Sequence, residues 1–325
     1  MLFNYKTVRE ELELPAFIIG NGINRGDKNL LPWDKLLLNL FPNEEKKNDI
    51  AAYKSLTYPE IASIANVYIK NDKEKKNGLI HKKVCVQIKV FEESFIKNNN
   101  LEKHKTVMNF AKTHSIPVLT TNYDHLLLKS INYNNKTLKG EKEGIEKPYW
   151  LVKENDHKRF HYWTPFNAYF TDGEKFKYDK TDVKKEFALW FIHGTKRYER
   201  SICIDDNDYI RNITAIKKYL NNDWYDKKKN WTGRNTWLDI FLNNDLIILG
   251  FGFSSSELDL RWLLLQRYAH QKMLVDKKII KESSKVIYVT RDSDKSYSKE
   301  FFKALGVICV EMPAEDIYKL NYLKK

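Results

Sequence analysis

Short apolar runs recur along the chain, and helical or irregular stretches separate them. Most of the runs are continuously apolar rather than alternating, which is typical of strands that helices cover on both faces. The sequence therefore predicts an α/β fold with a parallel sheet and crossover helices. The candidate strands are residues 16–20, 116–120, 189–193, 246–250, 285–290 and 307–310.

The stretches between the runs differ in character. Residues 57–113 have apolar positions at helical spacing, whereas residues 130–186 are rich in Lys, Asn, Tyr and Gly and show little periodicity. We interpret the chain as a single Rossmann-like domain over 1–325. Within it we predict a helical insertion at about 42–113 and an irregular insertion at about 130–186.

Four candidate strands end in residues suited to binding a ligand. The first leads into GNGINRG, the second into TTNYD, the third into HG and the fourth into GFGFSSSELD. Ligands of open α/β sheets bind beyond the carboxyl ends of the strands. We therefore expect these four loops to lie at one crevice.

The segment GNGINRG places two glycines directly after a strand. Gly20 and Gly22 allow a tight turn that presents backbone N–H groups closely to a diphosphate. The third glycine of a GxGxxG pattern is out of register, because Arg25 stands in its place and Gly26 follows. No acidic residue for an adenosine ribose is evident after a second strand, which disfavours a standard dehydrogenase. The alternative is an ordinary glycine turn.

The segment TTNYD carries an amide and a carboxylate just past a strand. Asn122 can hold a carboxamide or a water molecule through its donor and acceptor groups. Asp124 can orient that amide or bind a hydroxyl group. The alternative is that both residues cap the helix that begins near Asp124.

His193 is the candidate general base at the end of the third strand. An imidazole can accept a proton near neutral pH, and Gly194 is expected to leave space for a substrate. The alternative is a core histidine without a chemical role. The other histidines lack such a context, and we interpret them as surface or structural residues: His81, His104, His114, His125, His157, His161 and His270.

Two further strand ends offer polar groups. The glycines and serines of residues 250–259 can bind ribose or phosphate, although Ser255 or Ser256 can equally be the N-cap of the next helix. Thr290 and Arg291 can contact the far end of a dinucleotide, or they form an ordinary turn after a strand.

Composition limits the class of protein. The 325 residues are 42% hydrophobic, yet no apolar stretch approaches the roughly 18 residues of a membrane helix. The N-terminus is charged and lacks the apolar region of a signal peptide. The 3 cysteines are far apart and form no CxxC pair, which disfavours structural zinc and disulfides. We expect a reduced, cytoplasmic protein without a metal or a membrane anchor.

The net charge of +13 suggests an acidic partner, such as a nucleotide or nucleic acid. The excess is scattered in runs such as 227–229 rather than gathered in one arm. We therefore favour compositional bias, and nucleic-acid binding remains a less favoured alternative.

Taken in order, GNGIN with LPWDKLL, TTNYD, FIHG and GFGFSSSELD resemble the sirtuin family. The resemblance is closer to its zinc-less prokaryotic sirtuin-like branch, which cleaves NAD+ in anti-phage defence systems. It spans residues 16–265 and implies a Rossmann-like fold that binds NAD+ as a substrate. The four-cysteine zinc module of deacetylase sirtuins is missing, which argues against peptide deacylation. Asn24 stands where the family often has serine.

The resemblance also implies roles for individual residues. Asn122, Asp124 and His193 match the catalytic positions at the nicotinamide end. The residues implied in NAD+ binding are Gly20, Asn21, Gly22, Ile23, Asn24, Thr121, Gly250, Gly252, Ser254, Ser255, Glu257 and Thr290.

The implied activity is hydrolysis of the nicotinamide–ribose bond, which would deplete NAD+ during abortive infection. Control by a homo-oligomer or by a separately encoded partner protein is expected with it. The alternative is a non-catalytic regulatory module that binds NAD+ or ADP-ribose.

Overall fold

A computed structural model provides the tertiary arrangement. It describes residues 12–25, 33–41, 44–52, 56–70, 79–98, 100–131, 166, 170–171, 182–220, 231, 233–253, 257–291 and 299–323. Most of the irregular insertion predicted at about 130–186 falls outside the described residues, as do Ser254, Ser255 and Ser256.

The described strands form one sheet in the order β3-β4-β2-β1-β5-β6-β7. Six of them are parallel, and β3 runs antiparallel to β4 at one edge. The predicted parallel sheet of a Rossmann-like α/β fold is therefore confirmed. The strands are β1 Pro15–Ile19, β2 Val118–Thr120, β3 Phe170–Thr171, β4 Ala188–Phe191, β5 Asp245–Leu249, β6 Val286–Arg291 and β7 Ile308–Met312.

The observed strands differ from the predicted ones by one or two residues at their ends, and one strand was not predicted. The third predicted strand was extended to His193, but β4 ends at Phe191, so that His193 lies in the turn that follows. The two-residue strand β3 was not predicted, because so short a segment has no periodicity of its own.

The sheet has a topological switch point between β1 and β5. From β1 the chain moves outward through β2 to β4, and it then returns to β5 on the other side of β1. Such a reversal opens a crevice at the carboxyl ends of the two strands. The pairing of Ile19 with Leu249 ends both strands at the same level, so the turns that follow them meet.

Helices cover both faces of the sheet. Alternate residues of β1 face opposite layers: Phe17 and Ile19 pack towards α5, α6 and the C-terminal segment, whereas Ala16 and Ile18 pack towards α7 to α10. The helices are α1 Trp33–Leu38, α2 Glu44–Ala52, α3 Tyr58–Lys70, α4 Leu79–Lys97, α5 Glu102–Thr113, α6 Leu126–Ser130, α7 Asp206–Tyr219, α8 Trp237–Asn243, α9 Leu258–Asp276 and α10 Lys299–Ala304.

Helices α1, α3 and α4 share a separate apolar cluster that reaches Tyr123 in the loop after β2. Helices α2 to α5 lie within residues 42–113; the interpretation of this segment as an insertion in a single domain stays a prediction. None of the described helices combines the length and apolar character that a membrane span requires.

Helix α9 begins later than predicted. Its first residue is Leu258, and Glu257 occupies the N-cap position without a capping hydrogen bond from its side chain. The interpretation of Ser255 or Ser256 as the N-cap is therefore wrong, because the chain turns into the helix one or two residues further on.

Three glycines bring the turns after β1 and β5 into backbone contact. The N–H of Gly22 donates to the carbonyl of Gly250 over 2.8 Å. A Cβ atom on Gly22 would lie 2.6 Å from Gly250 Cα, and one on Gly20 would lie 2.6 Å from Gly250 O. Gly250 also has a φ of +74°, in the region that favours glycine. The contact excludes any larger residue.

We predict that Gly250→Ala destabilises the protein more than Gly306→Ala. Both glycines have positive φ, but a Cβ atom on Gly306 meets nothing within 4 Å, whereas one on Gly250 lies 2.7 Å from the Tyr318 hydroxyl. Gly306→Ala should cost about 1–2 kcal/mol for the left-handed backbone. Gly250→Ala should cost a further ~1–3 kcal/mol for overpacking. Urea unfolding measures both, and equal losses would contradict the close approach.

Candidate functional site

The four predicted loops lie side by side at the carboxyl edge of the sheet. Ile192 N donates to Thr120 O over 2.9 Å, Thr121 N donates to Ile19 O over 3.2 Å, and Gly20 N donates to Leu249 O over 2.9 Å. These bonds join the chain after β4, β2, β1 and β5 in the order of the strands. The structure therefore places the loops at one edge, on neighbouring strands.

The glycine turn after β1 does not offer the amides that the sequence suggested. The N–H groups of Gly20 and Gly22 donate to the carbonyls of Leu249 and Gly250. They are consequently engaged within the protein rather than directed at a phosphate. The two glycines serve the close packing of β1 against β5, and Ile23 behind them is 1% exposed.

Asn24 connects the loop after β1 to the loop after β2. It is 1% exposed, and its Nδ2 donates to Asp124 Oδ2 over 3.0 Å and to Asn21 Oδ1 over 2.8 Å. His104 Nε2 lies 2.8 Å from Asn24 Oδ1. Burial lowers the pKa of His104 to about 3, so the ring is neutral and donates Nε2–H to the amide oxygen. The structural interpretation of His104 fits this supporting role.

Asp124 both caps a helix and binds the amide group of another side chain. Its Oδ1 accepts the N–H of Leu126, the first residue of α6, over 3.1 Å, while Oδ2 accepts from Asn24. Burial, together with the nearby charge of Glu92, raises the pKa of Asp124 to about 6. The carboxylate therefore caps a helix and also holds the site loops together.

Asn122 has a buried acceptor that the protein does not use. The residue is 4% exposed; its N–H donates to Thr120 Oγ1 over 3.1 Å, and its Nδ2 donates to Gly20 O over 3.4 Å. Its Oδ1 has no hydrogen-bond partner among the described residues. Leaving such an atom unpaired costs about 1–3 kcal/mol. Asn122 Oδ1 is therefore a candidate acceptor for a hydrogen bond from a ligand.

His193 is buried beside a carboxylate. Its Nε2 lies 2.8 Å from Asp259 Oδ2, and both side chains are nearly inaccessible. The distance fits an ion pair once His193 is protonated, but the ring is not aligned for a hydrogen bond in the described structure. Tyr209 packs edge-on against the ring at 5.6 Å. His193 is therefore not an isolated core histidine.

Asp259 is itself held in place from two helices. Asn212 of α7 donates Nδ2 to Asp259 Oδ2 over 3.1 Å, and the N–H of Leu260 donates to Oδ1 over 2.8 Å. Asp259 is 0% exposed. Sequence reasoning missed it as a site residue, although it ends the GFGFSSSELD segment. No local sequence pattern indicates this contact, because α9 and the turn after β4 meet only in the folded protein.

Gly194 does not leave open space for a substrate. It has a φ of +88°, and a Cβ atom on it would lie 2.1 Å from the carbonyl oxygen of Ser201. The backbone of Ser201 fills the space beside it. The expectation of a substrate approach at Gly194 is therefore wrong, and the glycine is required by the turn.

A buried ion cluster fastens α4 to the loop after β2. Glu92 is 1% exposed; it accepts the N–H of His125 and pairs with Lys196 and, at 3.2 Å, with Lys129. Burial alone would raise the pKa of Glu92, but Lys196 and His125 bring it below its ordinary value. The carboxylate is consequently ionised and anchors the loop next to Asp124.

Glu257 lies near the His193–Asp259 pair at the start of α9. Burial raises the pKa of Glu257 to about 8, and the charge of Asp259 adds to the effect. Its Oε2 is buried without a hydrogen-bond partner among the described residues. At neutral pH it is therefore largely protonated and can donate a hydrogen bond.

A cavity of about 400 Å³ opens at the switch point. It contains three of the predicted binding residues, Gly22, Gly250 and Thr290, whereas Asn122 and His193 are not among its lining residues. The predicted residues thus form two groups, one at the ends of β1, β5 and β6 and one at the ends of β2 and β4. The cavity is lined by Gly22, Arg25, Lys103, Gly250, Phe251, Val289, Thr290, Arg291, Ala314, Glu315, Ile317 and Tyr318.

Two further predicted residues lie at the same edge of the sheet. Thr121 and Gly252 are partly exposed there, whereas Ser254 and Ser255 lie outside the described residues. Across the described part of the chain, no three His, Cys, Asp or Glu side chains are grouped so that they could hold a metal ion.

Residues 117–308 match the model of the SIR2-like domain family. The match covers more than half of the chain and includes the loops that carry Asn122, His193 and Gly250. The chain therefore belongs to the SIR2-like domain family, whose domains bind NAD+. A search among curated proteins finds no match.

We predict a pH-dependent stability difference between the wild type and Asp124→Asn. The folded-state pKa of about 6 lies above the ordinary value of 3.8, so the stabilising effect of the protonated form is complete below 3.8 and is lost as the pH rises through 6. The variant does not ionise. Relative to the wild type, its free energy of unfolding should rise by ~3 kcal/mol between about pH 3 and pH 7.

Urea unfolding of both proteins across this pH range provides the measurement, and the difference between them cancels other titrating groups. A difference that stays constant with pH would show that Asp124 ionises normally in the folded protein.

Proposed function

We propose that the protein is an NAD+ glycohydrolase that cleaves the nicotinamide–ribose bond. The family match supports NAD+ as the ligand. The observation that carries the proposal is the buried, unpartnered Oδ1 of Asn122, on a strand end next to the one that carries His193. His193, with Asp259 at 2.8 Å, adds an imidazole that can accept a proton.

The reaction makes limited demands on the protein. Nicotinamide is cationic while it is bound to ribose, so it leaves as a neutral molecule without protonation. The site must stabilise an oxocarbenium-like transition state and supply water. Oxygen of the water forms a bond to the ribose C1′ as the C1′–nitrogen bond breaks, and one proton is released from the water.

Asn122 and His193 divide these tasks. Asn122 Oδ1 accepts a hydrogen bond from the attacking water or from the nicotinamide carboxamide. His193 accepts the released proton and later returns it to solvent. Asp259, 2.8 Å from His193 Nε2, stabilises the imidazolium that forms.

A non-catalytic module that binds NAD+ or ADP-ribose is the second candidate. It is favoured by the position of the cavity, whose lining residues belong to the turns at β1, β5 and β6 and include neither Asn122 nor His193. The two functions differ in one observable: the module binds its ligand without releasing nicotinamide.

We further propose that the activity serves anti-phage defence and is switched on by self-assembly or by a separately encoded partner. The resemblance of the loop sequences supports the defence role, and the need for control follows because uncontrolled NAD+ hydrolysis would deplete the host that makes the protein. Full activity of the purified monomer would contradict this control.

Removal of either side chain of the proposed machinery should lower NAD+ cleavage. We expect Asn122→Ala and His193→Ala each to reduce the rate of nicotinamide release by ~10²–10⁴-fold. The matched controls are Asn109→Ala and His114→Ala, at exposed positions at the end of α5 that leads into the opposite edge of the sheet. They should leave the rate unchanged.

Equal rates in the wild type and both site variants would remove the two residues from the mechanism. Ligand binding without nicotinamide release, also in the presence of co-expressed neighbouring gene products, would instead favour the binding module.

Asp259→Asn should lower kcat and leave KM nearly unchanged. The amide keeps the shape of the side chain but not the charge that stabilises protonated His193, so we expect a loss of ~10²–10⁴-fold in kcat. Asp239→Asn is the control, because Asp239 is also buried, at 5% exposure, but pairs with Lys184 at 3.6 Å. Steady-state kinetics measure kcat and KM of both variants, and unfolding curves show whether either variant is destabilised. Similar kinetics in the two variants would argue that Asp259 is only structural.

A further inference from the structure

The start of helix α7 is attached to α3 by hydrogen bonds between side chains. Asp205, the N-cap residue of α7, accepts Nδ2–H of Asn66 over 3.0 Å. The hydroxyl group of Ser63 donates to Asp206 Oδ2 and accepts the N–H of Asp206, both over 3.1 Å. The first turn of α7 is therefore held by two side chains of α3.

A third contact with the same turn comes from α4. His81 Nε2 lies 2.7 Å from Asp208 Oδ2, and Asp208 forms a capping box with Asp205. Burial alone would raise the pKa of Asp208, but the hydrogen bond with His81 helps to bring it below its ordinary value. Hydrogen bonds to an ionised acceptor are stronger than those between neutral groups. The start of α7 is thus fixed relative to both α3 and α4.

The chain that leads into α7 is also bonded to the turn that carries His193. The N–H of Cys203 donates to the carbonyl of His193 over 2.9 Å. The carbonyl of Cys203 accepts the hydroxyl of Tyr123, from the loop after β2. Helix α7 therefore begins beside the candidate catalytic turn.

Within its first two turns, α7 presents two side chains to the buried His193–Asp259 pair. Tyr209 packs edge-on against the His193 ring, with the ring centroids 5.6 Å apart and an angle of 77° between the planes. Asn212 donates Nδ2 to Asp259 Oδ2 over 3.1 Å. Because Tyr209 and Asn212 are three residues apart, they lie on the same face of the helix.

The contact of Asn212 is made to the oxygen that faces the imidazole. Asp259 Oδ2 is also the atom that lies 2.8 Å from His193 Nε2. The ring is at hydrogen-bond distance but is not aligned in the described structure. Catalytic hydrogen bonds often become aligned only in the complex with substrate. The position of Asn212 consequently determines where this oxygen lies relative to the ring.

We propose that α7 is a positioning element for the His193–Asp259 pair. Asn212 acts on the carboxylate and Tyr209 acts on the ring, while α3 and α4 fix the start of the helix. Asn212 lies seven residues after the N-cap, about 10 Å along the helix axis. The inference rests on the proposed function and adds a means of control, because a displacement of α3 or α4 would reach the pair through α7.

The first test removes the hydrogen bond between Asn212 and Asp259. Asn212→Ala should lower kcat for NAD+ cleavage by about 10- to 100-fold, because the carboxylate loses a donor, and should leave KM nearly unchanged. The control is Asn243→Ala. Asn243 also donates Nδ2 to a buried carboxylate, that of Asp239 over 2.9 Å, but it lies just before the amino end of β5. This variant should leave kcat unchanged.

A double-variant cycle separates positioning from structural damage. Since Asn212 acts through Asp259, Asn212→Ala should lower kcat in the wild type but not in the Asp259→Asn background. Additive losses would overturn the assignment. Tyr209→Phe should recover most of the rate that Tyr209→Leu loses, because the edge contact needs the ring and not the hydroxyl. Equal rates in the two Tyr209 variants would overturn the role of the ring.

The contacts from α3 and α4 are tested by variants that leave the pair itself intact. Asn66→Ala and His81→Ala should each lower kcat by about 2- to 30-fold, the range expected for coupling through packed elements. Lys82→Ala is the control, because Lys82 is exposed beside His81 on α4. An unchanged kcat in both Asn66→Ala and His81→Ala would overturn the link from α3 and α4 to the pair.

Nuclear magnetic resonance gives a readout that does not depend on turnover. The ¹⁵N resonances of the His193 ring, assigned by their loss in His193→Ala, should shift in Asn212→Ala and stay in place in Asn243→Ala. Such a shift in a protein that never releases nicotinamide would support the positioning role and reject the glycohydrolase. Nicotinamide release with an unchanged kcat and unchanged ring resonances in Asn212→Ala would support the glycohydrolase and reject the positioning role.

Discussion

The close approach of two backbone turns at the switch point is the constraint on which the rest of the site depends. Because β1 and β5 end at the same level, Gly20, Gly22 and Gly250 meet without side chains between them. A larger residue at Gly22 or Gly250 would separate the two strands at the point where the cavity opens. In this contact the N–H groups of Gly20 and Gly22 donate hydrogen bonds to backbone carbonyls. A ligand must therefore be bound by other groups.

Buried polar groups beside this contact are mostly paired, and the exceptions are informative. Asn24 satisfies Asp124 and His104, and Asn212 supports the carboxylate of Asp259. Such pairing offsets the cost of removing polar atoms from water. Among the described residues, Oδ1 of Asn122 and Oε2 of Glu257 lack such a partner at this edge of the sheet, which makes both atoms candidate contacts of a ligand.

Charged side chains have different surroundings at the two ends of this edge of the sheet. At the ends of β2 and β4, Glu92 pairs with Lys196 and Lys129, and Asp259 lies beside His193. At the ends of β1, β5 and β6, the lining of the cavity includes Arg25, Lys103, Arg291 and Glu315. The first group therefore holds buried loops together, whereas the second group borders an open cavity.

Local sequence determined the elements and their order. Continuous apolar runs predicted the six parallel strands, and the glycine and polar residues after them predicted the loops at one edge, because strand burial and turn formation depend on near neighbours in the chain. Only the tertiary structure decided that Asp259 meets His193, that Ser201 fills the space at Gly194, that Lys103 of α5 reaches Arg25 and that the glycine amides are occupied. Each of these contacts joins different elements, and their meeting depends on how helices pack on the sheet, which no local pattern encodes.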